Sequence, residues 1–380
     1  MSITVQQAMQ KLDNRRVKNI RPLIPPQILQ EDFPLTLLAA NTVLEGRRAT
    51  EAILNGDDDR IIVVVGPCSV HDVDAALEYA GKLKAYADQA KEDLHIMMRV
   101  YFEKPRTTVG WKGLINDPDM NGSFQINKGL RTARKLLLDL AKMGLPTACE
   151  FLDTISPQYT ADLTSWGAIG ARTTESQVHR ELTSALSMPV GFKNSTDGSV
   201  DIAVDACRAA RAGHCFLSVG KEGLSSIVET EGNPDTHIIL RGGASGPNYA
   251  EEYVRSCAAK LARAGLPQKI MIDCSHGNSS KQHQKQVEVA QYIAQQLTSS
   301  DTAPMIMGVM IESNLFEGRQ NIPAAGPSAL QYGISVTDAC IDWTSTVPVL
   351  DVLRKGIEAR RRNARSQRMG SANSSGQPPH

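Results

Sequence analysis

Eight short apolar runs recur along the chain, at 61–65, 96–101, 147–151, 168–171, 189–193, 215–219, 269–274 and 305–311. Their length suits strands, and most are separated by stretches with apolar residues at helical spacing, such as 75–89, 130–143, 249–264 and 282–297. Strands alternating with helices imply parallel pairing through right-handed crossovers, which closes most simply as an α/β (β/α)8 TIM barrel. A doubly wound open sheet is the alternative. A further apolar run at 236–240 lies between the sixth and seventh strands and reads, with 227–230, as an inserted β-hairpin.

The flanks differ from this pattern. Residues 34–56 read as a helix stopped by Gly56, with Leu35, Leu37, Leu38, Val43 and Ile53 as buried positions. Residues 1–33 are polar, with Pro22, Pro25 and Pro26, and predict an extended N-terminal arm with little core of its own. The barrel then spans 34–362. A basic run, Arg354-Lys355 and Arg360-Arg361-Arg362, leads into a segment of Ser, Gly, Asn and Pro, so 363–380 predicts a disordered tail. The basic run lacks interleaved aromatics and reads as a solvated helix end rather than a grip on RNA.

Composition narrows the classes. A chain of 380 residues with 41 Lys plus Arg and 41 Asp plus Glu carries no global field toward nucleic acid or an anionic membrane, so any anion site is local. There is no signal-peptide pattern at the start, and no apolar run nears the roughly 18 residues that suggest a membrane span. Seven cysteines without a framework spacing fit a reducing, cytoplasmic compartment.

A barrel builds its active site from residues at the carboxyl ends of its strands. The residues just past the runs are Cys68, then Arg99 with Lys104 and Arg106, then Glu150, Arg172, Lys193, Arg241, His276 and Glu312. Six of them are cations, more than one monoanion needs, and suit a small phosphorylated acid; guanidinium forks match carboxylate and phosphate oxygens. Cys68, His276, Glu312 and Asp338, the last in the loop after the final strand, form a mixed soft and hard ligand set, which suits Mn, Fe, Co or Zn better than Mg or Ca. Taken singly, each has an ordinary alternative: a rim salt bridge for a cation, a small buried residue for Cys68, a helix cap for His276.

Several longer motifs carry a resemblance. Gly66-Pro67-Cys68-Ser69-Val70-His71-Asp72, the stretch from Arg99-Val-Tyr-Phe-Glu-Lys-Pro-Arg-Thr-Thr108 to Gly113, Gly170-Ala-Arg-Thr-Thr-Glu-Ser-Gln177, Gly191-Phe-Lys-Asn194, Ile239-Leu-Arg-Gly-Gly243, Asp273-Cys-Ser-His-Gly-Asn278 and Ser335-Val-Thr-Asp-Ala-Cys340 closely resemble the type I 3-deoxy-D-arabino-heptulosonate 7-phosphate (DAHP) synthases. The resemblance runs from about residue 34 to 361. It implies a barrel enzyme that condenses phosphoenolpyruvate with erythrose 4-phosphate on one divalent metal, the first step of the shikimate pathway. By matching motif, the metal ligands fall on Cys68, His276, Glu312 and Asp338. Phosphoenolpyruvate contacts fall on Arg99, Lys104, Glu150, Arg172, Lys193 and Arg241, and the aldose phosphate pocket on Lys104, Pro105, Arg106 and Thr107.

In catalysis Lys104 is expected to donate a proton to the new alkoxide, with Glu150, His276 or a metal-bound hydroxide as candidates for activating water. Members of the family are commonly inhibited by an aromatic amino acid at a remote pocket lined partly by a partner subunit's arm. Its matching positions are Pro157, Gln158, Leu182, Leu186, Ser187, Phe216 and Ser218, and Phe216-Leu-Ser218 looks like phenylalanine-sensitive forms. A homodimer or homotetramer is implied. Cys340 is expected close enough to Cys68 to join it on oxidation. Two other functions compete: a metal-independent aldolase forming a Schiff base on Lys193, and a non-enzymatic amino acid sensor, which leaves the ligand quartet unexplained.

Overall fold

In the computed structural model, which describes residues 3–106, 110–298, 301–323 and 326–374, every residue of Ile61–Gly66 is buried. A strand buried on both faces must be covered by side chains inside and helices outside. Ile62 and Val64 pack inward with Met97, Trp166, Ala168, Met271 and Met310. Ile61, Val63 and Val65 pack outward with helix residues such as Tyr79 and Leu83.

The strands are β1 (Ile61–Gly66), β2 (Leu94–Arg99), β3 (Thr147–Glu150), β4 (Trp166–Ile169), β5 (Val190–Lys193), β6 (Cys215–Val219), β7 (Ser225–Glu229), β8 (Thr236–Leu240), β9 (Ile270–Asp273) and β10 (Ile306–Glu312). Eight of them close a barrel in the order β1-β10-β9-β8-β5-β4-β3-β2, and β6 with β7 forms a separate hairpin. Neighbours in the barrel are parallel; Val65 pairs with Met98 and Gly66 with Glu312, which brings the carboxyl ends of β2, β1 and β10 to one rim. The (β/α)8 expectation therefore holds, as does an inserted hairpin.

The hairpin is not made of the expected strands. The run 215–219, taken from the sequence as a barrel strand, is β6 of the hairpin, and 236–240, taken as part of the insertion, is barrel strand β8. All five residues of β8 are buried, whereas β6 alternates, with Cys215 and Leu217 exposed. Only a run covered on both faces can stand in a parallel barrel.

The helix before β1 spans Leu37–Asn55, capped by the Thr36 side chain, which accepts from Ala39 N, and ended by Gly56 at φ 85°. Val43 and Ile53 are buried as expected, but Leu35, Leu37 and Leu38 are exposed. The buried stripe runs through Ala39, Val43, Gly46, Thr50 and Ile53; Leu37 and Leu38 fall off it, and Leu35 precedes the helix.

The arm is less extended than its prolines suggest. Helices span Val5–Leu12 and Pro26–Asp32, and Pro26 and Leu29 are buried. Ile24 is tied down at both ends of its peptide, its N donating to Asn127 Oδ1 at 2.9 Å and its O accepting from the Tyr159 hydroxyl at 2.7 Å. At the other terminus the closing helix runs Trp343–Ser374, past the limit at 362, so residues 363–374 are helical rather than disordered. Residues 375–380 lie outside the described residues. No helix among the described residues is long and apolar enough to cross a membrane.

Candidate active site

The rim at the carboxyl ends of the barrel strands surrounds a cavity of about 580 Å3 lined by Arg99, Lys104, Pro105, Arg106, Glu150, Arg172, Lys193, Arg241, His276 and Asp338. Every cation that the strand-end argument singled out is in this lining. Thr107 lies outside the described residues.

Glycines let the backbone pack closely where these side chains stand. A Cβ on Gly66, at φ 154°, would sit 2.8 Å from Arg99 O, and one on Gly170 would collide with Glu150 Oε1. Substitution at either displaces a strand-end residue.

Cys68 and Glu312 form the floor, both fully buried. One ligand atom from each of Cys68, Glu312 and Asp338 lies within 4.8 Å of the others. That spacing fits one shared ion, since bonds of about 2.0–2.4 Å put ligands of a common metal within about 5 Å of each other. The loop carrying Asp338 is folded onto the rim by bridges from Gly318 to Cys340 and Ser313 to Ile341, and by Thr337 Oγ1, 2.7 Å from Ser69 Oγ. His276 stands beside the trio, outside that circle, with Nε2 3.9 Å from Glu312 Oε1. Its φ is 57°, a left-handed conformation that costs energy in a non-glycine residue and often marks a functional loop.

Electrostatics act in opposite directions on the two floor residues. Burial alone would raise the Glu312 carboxyl, but His276, Arg99 and Lys104 outweigh it and bring it to about 2. Burial pushes the Cys68 thiol up, with Glu312 adding to the effect and Lys104 opposing it. Burial likewise opposes charge on Lys104, yet Cys68 and Glu312 prevail and its ammonium is held above its ordinary value. Lys104 Nζ donates to Cys68 Sγ and Cys68 O, each at 3.2 Å. Cys340 Sγ accepts from Cys68 N at 3.4 Å, so the two cysteines are neighbours.

Two of the cations, Arg99 and Arg241, keep a buried donor without an acceptor among the described residues. Arg99 lies over the Tyr101 ring, its guanidinium carbon 3.7 Å from the centroid, and donates to Glu312 Oε1 at 2.9 Å, Pro67 O at 3.0 Å and Cys68 O at 3.2 Å. Its Nη1, and Nε of Arg241, are buried donors with no acceptor among the described residues. A buried donor without a partner costs free energy that an incoming anion recovers.

The strand-end argument missed Asp273. It is the last residue of β9, fully buried, and its Oδ2 accepts from Lys193 Nζ at 2.9 Å. Oδ2 also lies 2.9 Å from His276 Nδ1, yet off the line of a hydrogen bond, and Nδ1 has no hydrogen-bond partner among the described residues. Despite burial, Lys193 and His276 hold the Asp273 carboxyl well below its ordinary value. Asp273 interrupts the apolar run 269–274 one residue before its end, a signal visible in the sequence that a rule looking only past each run does not use. Gln286 was also missed: it clamps the end of β10, accepting from Glu312 N at 2.8 Å and donating to Glu312 O at 3.0 Å.

None of the expected effector residues lines the rim cavity. Pro157 and Gln158 open the short helix Pro157–Thr160, Leu182 is buried on the helix Gln177–Ser184, Leu186 and Ser187 follow that helix, and Phe216 and Ser218 lie on β6. Lys221, beyond β6, donates to Gln158 O at 2.6 Å and accepts from Gln27 N at 2.8 Å, which joins hairpin, barrel and arm.

A closed parallel barrel with a thiol, two carboxylates and an imidazole below a cation-lined cavity defines a barrel enzyme for small anionic substrates. The chain belongs to the DAHP synthetase I family, whose sequence model matches residues 38–351. It is 59% identical over 349 residues to the Phe-sensitive phospho-2-dehydro-3-deoxyheptonate aldolase of Escherichia coli K12, covering 92% of this chain and 98% of the relative. Identity to the tyrosine-inhibited enzyme of Schizosaccharomyces pombe is 53% over 357 residues, covering 93% and 95%. The solved structure of the aldolase from Francisella tularensis SCHU S4 superposes with a TM-score of 0.88 at 54% identity, covering 90% of this chain and 99% of that one.

Proposed function

We propose that the chain is a DAHP synthase, condensing phosphoenolpyruvate with erythrose 4-phosphate and water and releasing phosphate. The observation that carries this reading is the rim cavity itself, where orphaned Arg99 and Arg241 donors stand over the Cys68, Glu312 and Asp338 cluster. Arg99, Arg172, Lys193 and Arg241, with Lys104 and Glu150, bind the phosphate and carboxylate of phosphoenolpyruvate and aim its methylene carbon. Lys104, Pro105, Arg106 and Thr107 hold the aldose phosphate, so that the two reactants meet as a local event. One divalent cation, Mn, Fe, Co or Zn, held by Cys68, His276, Glu312 and Asp338, supplies Lewis acidity toward the aldehyde oxygen when bound. Lys104 gives a proton to the oxygen that becomes alkoxide. Glu150 or His276 takes one from the water that attacks the carbon bearing the leaving phosphate.

The Schiff-base alternative needs Lys193 as a neutral amine. Its Nζ is instead engaged by the buried Asp273 carboxylate at 2.9 Å.

An aromatic amino acid, phenylalanine favoured, inhibits at Pro157, Gln158, Leu182, Leu186, Ser187, Phe216 and Ser218. The relative named Phe-sensitive, at 59% identity, supports that choice over one named Trp-sensitive, at 51%. Dose-response curves with phenylalanine, tyrosine and tryptophan test it. A homodimer or homotetramer, with residues 1–33 contributing subunit and effector contacts and 34–362 forming the barrel, would cover the exposed Leu37, Leu38, Leu217 and Ile227. The free cysteines fit a cytoplasmic location.

The deciding experiment is phosphate release from the two substrates after treatment with a chelator and readdition of Mn. Release that stops and returns supports the reading. No release under any metal condition overturns it.

A further inference from the structure

The basic run near the end of the chain has no part in that chemistry, and most of it is neutralised. Arg354 pairs with Asp93 at 3.3 Å, and Arg361 with Asp93 at 2.8 Å and Asp59 at 2.6 Å. Arg360 is different. It turns under the barrel and, among the described residues, donates only to backbone carbonyls, those of Ala303, at 3.2 Å, and Asp59. Lys269, just before β9, donates among the described residues only to Pro304 O, at 2.9 Å.

These two cations share a cavity of about 580 Å3 at the amino-terminal end of the barrel, opposite the rim already described. Its floor is apolar: Ile53, Ile306 and Met307 line it, and each is about 1% exposed. The register between β10 and β9 slips between Ile306 and Gly308, which leaves Met307 out of the ladder at that point. The two acids at the cavity are already engaged, Asp58 by Arg60 at 2.5 Å and Asp59 by Arg361. Burial pushes the Lys269 ammonium below its ordinary value, and Arg360 pushes it further. Burial lowers Arg360 as well, with Asp59 opposing. Two cations that destabilise each other beside an apolar floor are stabilised together by one anion. The size is that of a small-molecule site.

We propose that this basal cavity binds a small organic anion, with a carboxylate on Lys269 and Arg360 and an aromatic or aliphatic body on Ile53, Ile306 and Met307. The floor distinguishes it from a site for inorganic phosphate, which has no apolar surface to bury. It shares no lining residue with the rim cavity and does not rest on the function proposed there.

The probe is 2-naphthoate, added to the full chain carrying 13C-methyl methionine, with the Met307 signal assigned from Met307→Leu. The inference expects a saturable shift of that signal, weakened about tenfold or more in both Lys269→Met and Arg360→Met, and no comparable shift with 2-naphthamide. Following Met307 separates this site from the cationic rim, which an aryl carboxylate can also enter. If Arg360→Met loses its fold, Lys269→Met carries the comparison, since Lys269 makes a single bond to Pro304. An unmoved Met307 signal, binding undiminished in Lys269→Met, or equal binding of the amide overturns the inference.

Discussion

Glu103 offers a test of the electrostatics around the site that does not depend on catalysis. It lies in the loop after β2, 4% exposed, and its Oε2 accepts from Ser156 Oγ at 2.8 Å. Burial raises its carboxyl first, Asp153 and Glu150 add to the effect, and the Ser156 bond only partly offsets them, so it is pushed from 4.5 up to about 7. An acid raised on folding binds more protons folded than unfolded between those two values. Its contribution is therefore fully present below about pH 4.5 and is lost as pH rises through 7. At about 1.4 kcal/mol for each tenfold in proton affinity, the ionised Glu103 costs about 3 kcal/mol at pH 8. Glu103→Gln keeps an acceptor for Ser156 and cannot ionise. Urea denaturation at pH 5 and pH 8 should give a near-isosteric variant with little difference at pH 5 and a gain over the parent of about 3 kcal/mol at pH 8. A difference between variant and parent that is the same at both pH values would refute the argument.

Other outcomes follow from the same structure. Arg134 is buried, donates to both oxygens of Asp162 at 2.7 and 2.9 Å and to Phe33 O and Tyr159 O; Arg134→Ala should lower stability by about 3 kcal/mol in urea, and a loss well under about 1 kcal/mol would contradict that pairing. Leu217→Asp places a charge where Leu217 faces Ile227 on the exposed side of the hairpin, and should shift sedimentation toward a smaller species; an unchanged mass removes the hairpin from any interface. Lys104→Met should cut turnover about a hundredfold or more if Lys104 is the proton donor, whereas retention of most turnover rules that role out.

The strand-end rule located the rim because a closed parallel barrel forces every carboxyl end to the same face. Residues as distant as Cys68 and Asp338 could then be grouped without any local spacing signal. It failed where the local pattern was ambiguous. The runs 215–219 and 236–240 are both short and apolar, and burial of one face or two cannot be told from apolarity alone. The five residues Gly220-Lys221-Glu222-Gly223-Leu224 between β6 and β7, with a glycine at φ 81°, were the hairpin turn that could have separated them. Leu37 and Leu38 were misjudged because apolarity was read without the helical phase set by Ala39, Val43 and Gly46. Asp273 was missed because its acid lies inside the strand rather than after it, and its role depends on Lys193 and His276, which the sequence does not bring near it.

The most direct test of the central claim is anomalous diffraction from crystals of the protein soaked with Mn. The account predicts one strong peak among Cys68 Sγ, His276 Nε2 and the carboxylates of Glu312 and Asp338. A fully loaded crystal with its peak elsewhere, or with no peak at the rim, would contradict it.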